Sequence, residues 1–220
     1  IKSTANSGSG DIDPSGKFPY IFNAFGGSNM GEVDGNVNVY YEAGNQGTLL
    51  GSLYGGSYKG KIGGNTFVEL AAGFVTNVYG GSRQADIMGA SHVWAYDGQN
   101  RGVPNSNHLI ISNIYGGNDV AGTIHGTMPA AFTAQKWDEL SKREKIGTTQ
   151  FNTYVEISAD DNSTGRGFPL IGSAYAGGNG QEYDDYAKDF DNEHKPAAPE
   201  VETALIEIDG GATLRAFGGG

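Results

Sequence analysis

One short motif recurs six times along this chain and limits what the rest of it can become: an aliphatic residue or Ala, then Phe or Tyr, then glycines. The copies are Ala24-Phe25-Gly26-Gly27, Leu53-Tyr54-Gly55-Gly56, Val78-Tyr79-Gly80-Gly81, Ile114-Tyr115-Gly116-Gly117, Ala174-Tyr175-Ala176-Gly177-Gly178 and Ala216-Phe217-Gly218-Gly219-Gly220. Their Gly-Gly pairs begin 29, 25, 36, 61 and 41 residues apart. A shared unit of about 25 residues with insertions at its corners accounts for that spacing, because inserted residues belong on loops. Units of this size cannot bury an apolar face alone and must stack on one another. An all-β, single-stranded parallel β-helix (β-solenoid) of about six coils is expected.

The unit beginning at Leu50 shows how one coil is built. Its first strand is Leu50–Tyr54, turned by Gly55-Gly56-Ser57. Its second is Gly60–Gly63 around Ile62, and its third is Thr66–Leu70, closed by Gly73. Gly64-Asn65 stand at the corner before the third strand, where residues that tolerate positive φ are expected. Laid on the same frame, Val33, Ile62, Ile87 and Ile124 form one column, and Val39, Val68, Val93, Val155 and Ile206 another. Tyr41, Leu70, Ala95, Ile157 and Ile208 follow the latter two residues on, the alternation of a strand with one buried face. Strands stack at roughly 4.8 Å, so about six coils give an axis about 30 Å long. The frame requires Val68 over Val39 and Ile62 over Val33.

Composition narrows the partners. The 37 glycines of 220 residues are about 17% of the chain, against a usual share of about 7%, and they fall at corners instead of in a collagen period. With 25 acidic and 14 basic residues the net charge is -11. Nucleic-acid backbones and anionic membranes would be repelled, so a neutral or cationic partner is favoured. The absence of cysteine excludes disulfides and thiolate metal sites, and no apolar run is long enough for a membrane-spanning helix. Ile1 in place of Met suggests a processed or trimmed chain, and Phe217-Gly218-Gly219-Gly220 opens a repeat without continuing it, as in a piece of a longer solenoid.

Residues 1–20 read as a linker or N-terminal cap, and residues 21–220 as the β-helix domain. Two large insertions are expected between second and third strands, on one edge of the prism. The first, near 127–151, reads as helical from about Thr133 to Lys145: Thr133 can cap, Trp137 and Leu140 lie three apart, and Gly147 ends it. The second, near 181–200, is an acidic loop with Glu182, Asp184, Asp185, Asp189, Asp191 and Glu193.

The combination of aromatic-Gly-Gly, Gly-x-Ile-x-Gly and Asn-Thr-x-Val-x-Leu in Leu53–Leu70 resembles the glycine-rich repeats of large surface or secreted proteins from Gram-negative gut bacteria. The resemblance covers most of Phe22–Gly126 and, more weakly, Leu170–Gly220. It implies a right-handed parallel β-helix of the pectin-lyase-like architecture, an adhesin-like role, and a place outside the cell or on its surface. Ala90-Ser91 departs from the Asn-Thr of the repeat.

Two function classes follow. One is a non-catalytic stalk or binding surface for a glycan or protein, open also to end-to-end or edge contacts. The other is a polysaccharide lyase, a glycoside hydrolase or an inactive remnant of one, which needs paired acids on a strand face. The first-strand column Asn23, Ser52, Asn77, Asn113, Ser173, Arg215 holds no acid; stacked Asn and Ser there suit a hydrogen-bonded ladder. Arg83, Asp86 and His92 can be drawn as an acid-base set or as a paired surface cluster. Asp160, Asp161 and Asn162, close together beside Gly165, are a candidate Ca²⁺ loop without the usual bidentate Glu; no other cofactor is expected. The outward face of the third strands presents Phe67, His92 and Tyr154 beside Tyr40, Glu69, Trp94 and Glu156. Rings stack on sugar faces and side chains while carboxylates accept hydroxyl protons, so this strip is the candidate binding surface. The alternative is that the helical insertion covers it.

Overall fold

Val68 lies between Val39 and Val93, paired with each in parallel register, and Ile62 lies between Val33 and Ile87 in the same way. The computed structural model describes residues 2–3, 20–43, 49–97, 108–127, 150–158, 168–180 and 198–219. Among these residues there are strands, bridges and turns but no helix. The strands are β1 (Lys2–Ser3), β2 (Tyr20–Phe25), β3 (Val37–Ala43), β4 (Leu49–Tyr54), β5 (Thr66–Tyr79), β6 (Ser91–Tyr96), β7 (Leu109–Tyr115), β8 (Thr153–Ser158), β9 (Leu170–Tyr175), β10 (Ala204–Ile208) and β11 (Ala212–Phe217). Every pairing between them is parallel, in one sheet that wraps round an axis and nearly closes.

Two ladders run along that axis. One pairs β3, β5, β6, β8 and β10 in turn. The other pairs β2, β4, β5, β7, β9 and β11. Single bridges from Val33 to Ile62, Ile87 and Ile124 make a third column. The expected column from Val39 to Ile206 is present residue for residue, as is the one from Tyr41 to Ile208. β1 pairs with β3 through Lys2 with Glu42 and Ser3 with Ala43.

β5 belongs to both ladders. Thr66–Leu70 pair with β3 and β6, whereas Gly73–Tyr79 pair with β7. Gly73 makes the corner at φ +106°, a conformation open to glycine and strained for residues with a side chain. The interior is aliphatic apart from Tyr41: Leu50, Leu53, Ile62, Leu70, Val75, Val78, Ile87, Ile111, Ile114 and Ile157 are all buried with it in one cluster. Each such side chain removed from water contributes about 1.5–3 kcal/mol.

The corners work differently from the expectation. Gly64 does not have positive φ; a methyl there would meet the Asn36 backbone N at 2.7 Å, so close approach between layers demands the glycine. Asn65 serves as an acceptor: Asn36 Oδ1 takes the Asn65 N–H at 2.8 Å, and Asn65 Oδ1 takes the Ala90 N–H at 2.8 Å. Behind the motif rings, Ser57, Ser82 and Asn118 repeat this, each accepting the N–H of Ser28, Ser57 or Ser82 one layer away.

The second insertion also differs. Glu200 bridges Thr123 in the second-strand column and Val201 packs on the core, so residues 181–197 enter before that column instead of after it. The two large insertions therefore leave from different corners. Thr133–Lys145, most of residues 1–20 and the acidic run Glu182–Glu193 lie outside the described residues.

Candidate binding face

Alternation along β5, β6 and β8 turns every second side chain away from the aliphatic interior, and parallel register lines those side chains up. Phe67, His92 and Tyr154 are direct partners in one column; Tyr40, Glu69, Trp94 and Glu156 are partners in the next. The ring centroids lie 5.1 Å apart for Phe67 and His92 and 4.5 Å apart for His92 and Tyr154. All the strip residues thus come together. They are unequally open: Tyr40, Phe67, Glu69 and Trp94 are half-buried, whereas His92, Tyr154 and Glu156 are buried.

Polar contacts hold the strip in place. The Tyr40 hydroxyl donates to Glu42 at 2.8 Å, the Tyr96 hydroxyl to Glu69, the Tyr154 hydroxyl to Glu207, and the Trp94 indole N–H to Ser158 at 2.9 Å. His92 Nε2 lies 3.4 Å from Glu156. Burial, followed by the Glu42 hydrogen bond, pushes the Tyr40 phenol up to about 12. The half-buried quartet, rings beside one carboxylate, has the surface chemistry to lie against a sugar ring or an aromatic side chain.

Motif rings form a second aromatic array. Phe25, Tyr54, Tyr79, Tyr115, Tyr175 and Phe217 stack face to face at 4.5, 4.8, 5.0, 4.7 and 4.7 Å. The stack is separate from the aliphatic interior that holds Leu53, Val78, Ile114 and Ala174. Beside it the polar column forms a ladder: Asn113 donates to Asn77 at 3.0 Å and Asn77 to Ser52 at 3.5 Å.

Asp119, which sequence reasoning missed, is the hub of this side. It is buried and accepts from the Tyr54 hydroxyl at 2.9 Å and from Asn179 Nδ2 at 3.0 Å, with Arg83 Nε at 3.9 Å. Arg83 also lies 5.1 Å from the Tyr58 ring centre. A carboxylate two residues past the Gly-Gly pair has no counterpart in the other units, which was the available signal.

The acid-base set does not assemble. Asp86 takes the Thr123 N–H at 2.9 Å and lies 3.6 Å from His125; Arg83 turns to Asp119 and His92 to Glu156. A His–Asp pair unmarked in sequence joins His108 Nδ1 to the buried Asp97 at 2.8 Å, with Phe168 stacked on the imidazole at 3.8 Å. Asp160, Asp161 and Asn162 lie outside the described residues, among which no group of three or more His, Cys, Asp or Glu could hold a metal ion. An open cleft of about 830 Å³ lies at the β10–β11 end, bordered by Asn152, Asn179, Glu200, Glu202 and Gly218. The chain matches no protein-family model, no curated protein and no solved structure.

Proposed function

We propose that the chain is a right-handed parallel β-helix of about six coils, of the kind carried by glycine-rich surface and secreted proteins of Gram-negative gut bacteria. In this reading it works outside the cell or on its surface as a non-catalytic, adhesin-like module that binds a glycan or a protein. Like-over-like parallel columns support the architecture: a strand face repeated along an axis offers an extended, regular surface. One observation carries the binding role: Tyr40, Phe67, Glu69 and Trp94 lie together on neighbouring strands, partly open, with rings and a carboxylate side by side.

The carboxylates near both aromatic arrays are engaged. Glu42, Glu69 and Glu207 accept tyrosine hydroxyls, and Asp119 accepts Tyr54 and Asn179. Glycosidic cleavage needs two acids poised on either side of a bond, so the binding reading is the stronger and the enzymatic one rests on architecture alone. The test is a screen of neutral and amino-sugar glycans and of matrix proteins, repeated with Trp94→Phe and Phe67→Ala. Binding that weakens about tenfold in either variant, at unchanged melting temperature, supports the assignment. Binding indifferent to both changes, or none across the screen, overturns it, and release of sugar products would replace it with the enzymatic reading.

A further inference from the structure

The outer face of the ladder formed by β2, β4, β5, β7, β9 and β11 has a make-up unlike the rest of the molecule. Its first outward column is apolar in every layer: Tyr20, Leu49, Phe74, Ile110, Leu170 and Ala212 pair in turn. Their sequence neighbours Ile21, Leu50, Val75, Ile111 and Ile171 pack in the interior, so alternation sends the column to the surface. Leu49 and Phe74 are each 38% exposed, although Phe74 stands mid-face with a paired strand on either side. Of the nine large apolar side chains exposed among the described residues, five, Tyr20, Phe22, Leu49, Phe74 and Leu214, belong to these strands. Such gathering on one face is the mark of a surface that meets a partner.

Charge avoids the same face. The chain has a net charge of -11, yet β2, β4, residues 73–79 of β5, β7, β9 and β11 contain no Asp or Glu and a single cation, Arg215. The other long ladder carries Glu42, Glu69, Glu156 and Glu207, and the bridge column has Glu32, Asp34, Asp86 and Glu200 beside it. Beyond the apolar column come only small or amide side chains, Thr76 and Ser112 and then the ladder of Asn113, Asn77 and Ser52. Two copies of this acidic chain can therefore meet here without setting like charges against each other. Six strands at about 4.8 Å, each about six residues long at about 3.3 Å per residue, make a face of about 600 Å². Two such faces bury about 1,200 Å² in total, the lower end of a standard interface.

We propose that this face is a dimer interface and receives the same face of a second copy, side by side. A two-fold axis lying in the interface, along the strands, reverses the order of the layers and lays each column on itself. Phe74 then meets Ile110 of the second copy, Leu49 meets its Leu170, and Tyr20, the largest side chain of the column, meets Ala212, the smallest. Asn77 comes opposite Asn113, with amide donors and acceptors to exchange. Sheets packed in this way lie about 10 Å apart and tilt by about 30°, so the central layers carry the contact. The pairing is self-complementary and closes at two copies. The net charge of -11 on each copy opposes approach, so salt strengthens the contact. This inference is independent of what the binding face takes, which lies on the other ladder.

Sedimentation velocity of the 220-residue protein over a concentration series tests it, at low salt and at about 1 M, where the Debye length is about 3 Å. A monomer–dimer equilibrium that strengthens with salt and stops at two copies is expected. Phe74→Glu sets a carboxylate from each copy in the dry interface and should weaken association about tenfold or more, whereas Phe74→Leu should associate like the parent. Thr76→Arg leaves the apolar column whole and should weaken association too, so the test stands even where Phe74→Glu fails to fold. Met88→Glu adds the same charge at a 44% exposed side chain beside the bridge column and should change nothing. Melting temperatures in dilute solution, where every variant is a monomer, check that the folds are equal. A monomer at every concentration and salt, growth past two copies, Phe74→Glu or Thr76→Arg that folds and associates like the parent, or an equal loss in Met88→Glu would each overturn the proposal; the first of these would leave the face to a partner of another kind.

Discussion

The Tyr54 hydroxyl donates a 2.9 Å hydrogen bond to the carboxylate of Asp119, 65 residues away in sequence. With Asn179 at 3.0 Å and Arg83 at 3.9 Å, one buried acid joins four successive layers on the ring side of the molecule. Asp119→Ala leaves the phenol and the amide without that acceptor. A loss of about 1–3 kcal/mol is expected, read as a lower urea midpoint at unchanged slope. Asp119→Asn, which retains an acceptor oxygen, should lose less.

Alkaline pH should unfold the protein through its tyrosines. Burial pushes Tyr41 up to about 12, and burial followed by the Asp119 charge pushes Tyr54 and Tyr79 upward. In the unfolded chain these phenols ionise near 10. Their folded values lie higher, so the stability they contribute is complete below pH 10 and lost as pH rises towards the folded values. Urea midpoints should fall from about pH 10 upward, with phenolate absorbance rising together with unfolding. Phenolate signal from all twelve tyrosines at pH 10 in a still-folded protein would contradict this.

Glycine substitutions should divide sharply by layer contact. A methyl at Gly55 has no place to go, because the Gly80 carbonyl and the Val68 side chain already stand there, whereas one at Gly35 meets nothing within 4 Å. Gly55→Ala is expected to cost about 1–3 kcal/mol or more, and Gly35→Ala to stay within about 0.5 kcal/mol. Thermal melts of the two variants side by side check the contrast.

Asn65 ties two layers together through its acceptor oxygen. Asn65→Ala removes the 2.8 Å bond from the Ala90 N–H and should cost about 1 kcal/mol. Asn65→Asp preserves the acceptor and should retain most of that stability, measured in the same urea series.

The aliphatic columns were legible where the inward residue keeps its offset from the ring-Gly-Gly motif: Val33, Ile62 and Ile87 each stand seven residues after the first glycine of the pair, and Ile124 stands eight. The outward strip was legible by alternation, though its uneven burial was not: strand period says which way His92 and Tyr154 point and nothing about what lies over them. The corner chemistry stayed hidden. A glycine kept for close approach reads the same as one kept for positive φ, and only the neighbouring layer distinguishes Gly64 from Gly73. Asp119 was missed for a related reason, since its partners Tyr54, Arg83 and Asn179 share no local pattern with it. The second insertion was misplaced because Glu200-Val201 lacks the Gly-x-Ile-x-Gly frame that marks Ile62.

The unbroken run of β5 from Thr66 to Tyr79, with its bend at Gly73, has a mechanical consequence. A force that peels one wall at this point must drag the same strand out of the other wall, so the middle of the tube yields only by tearing two walls at once. β6 and β7 each lie in one wall only, so either can be pulled out singly. Under tension β5 should therefore hold as the knot after such strands have let go.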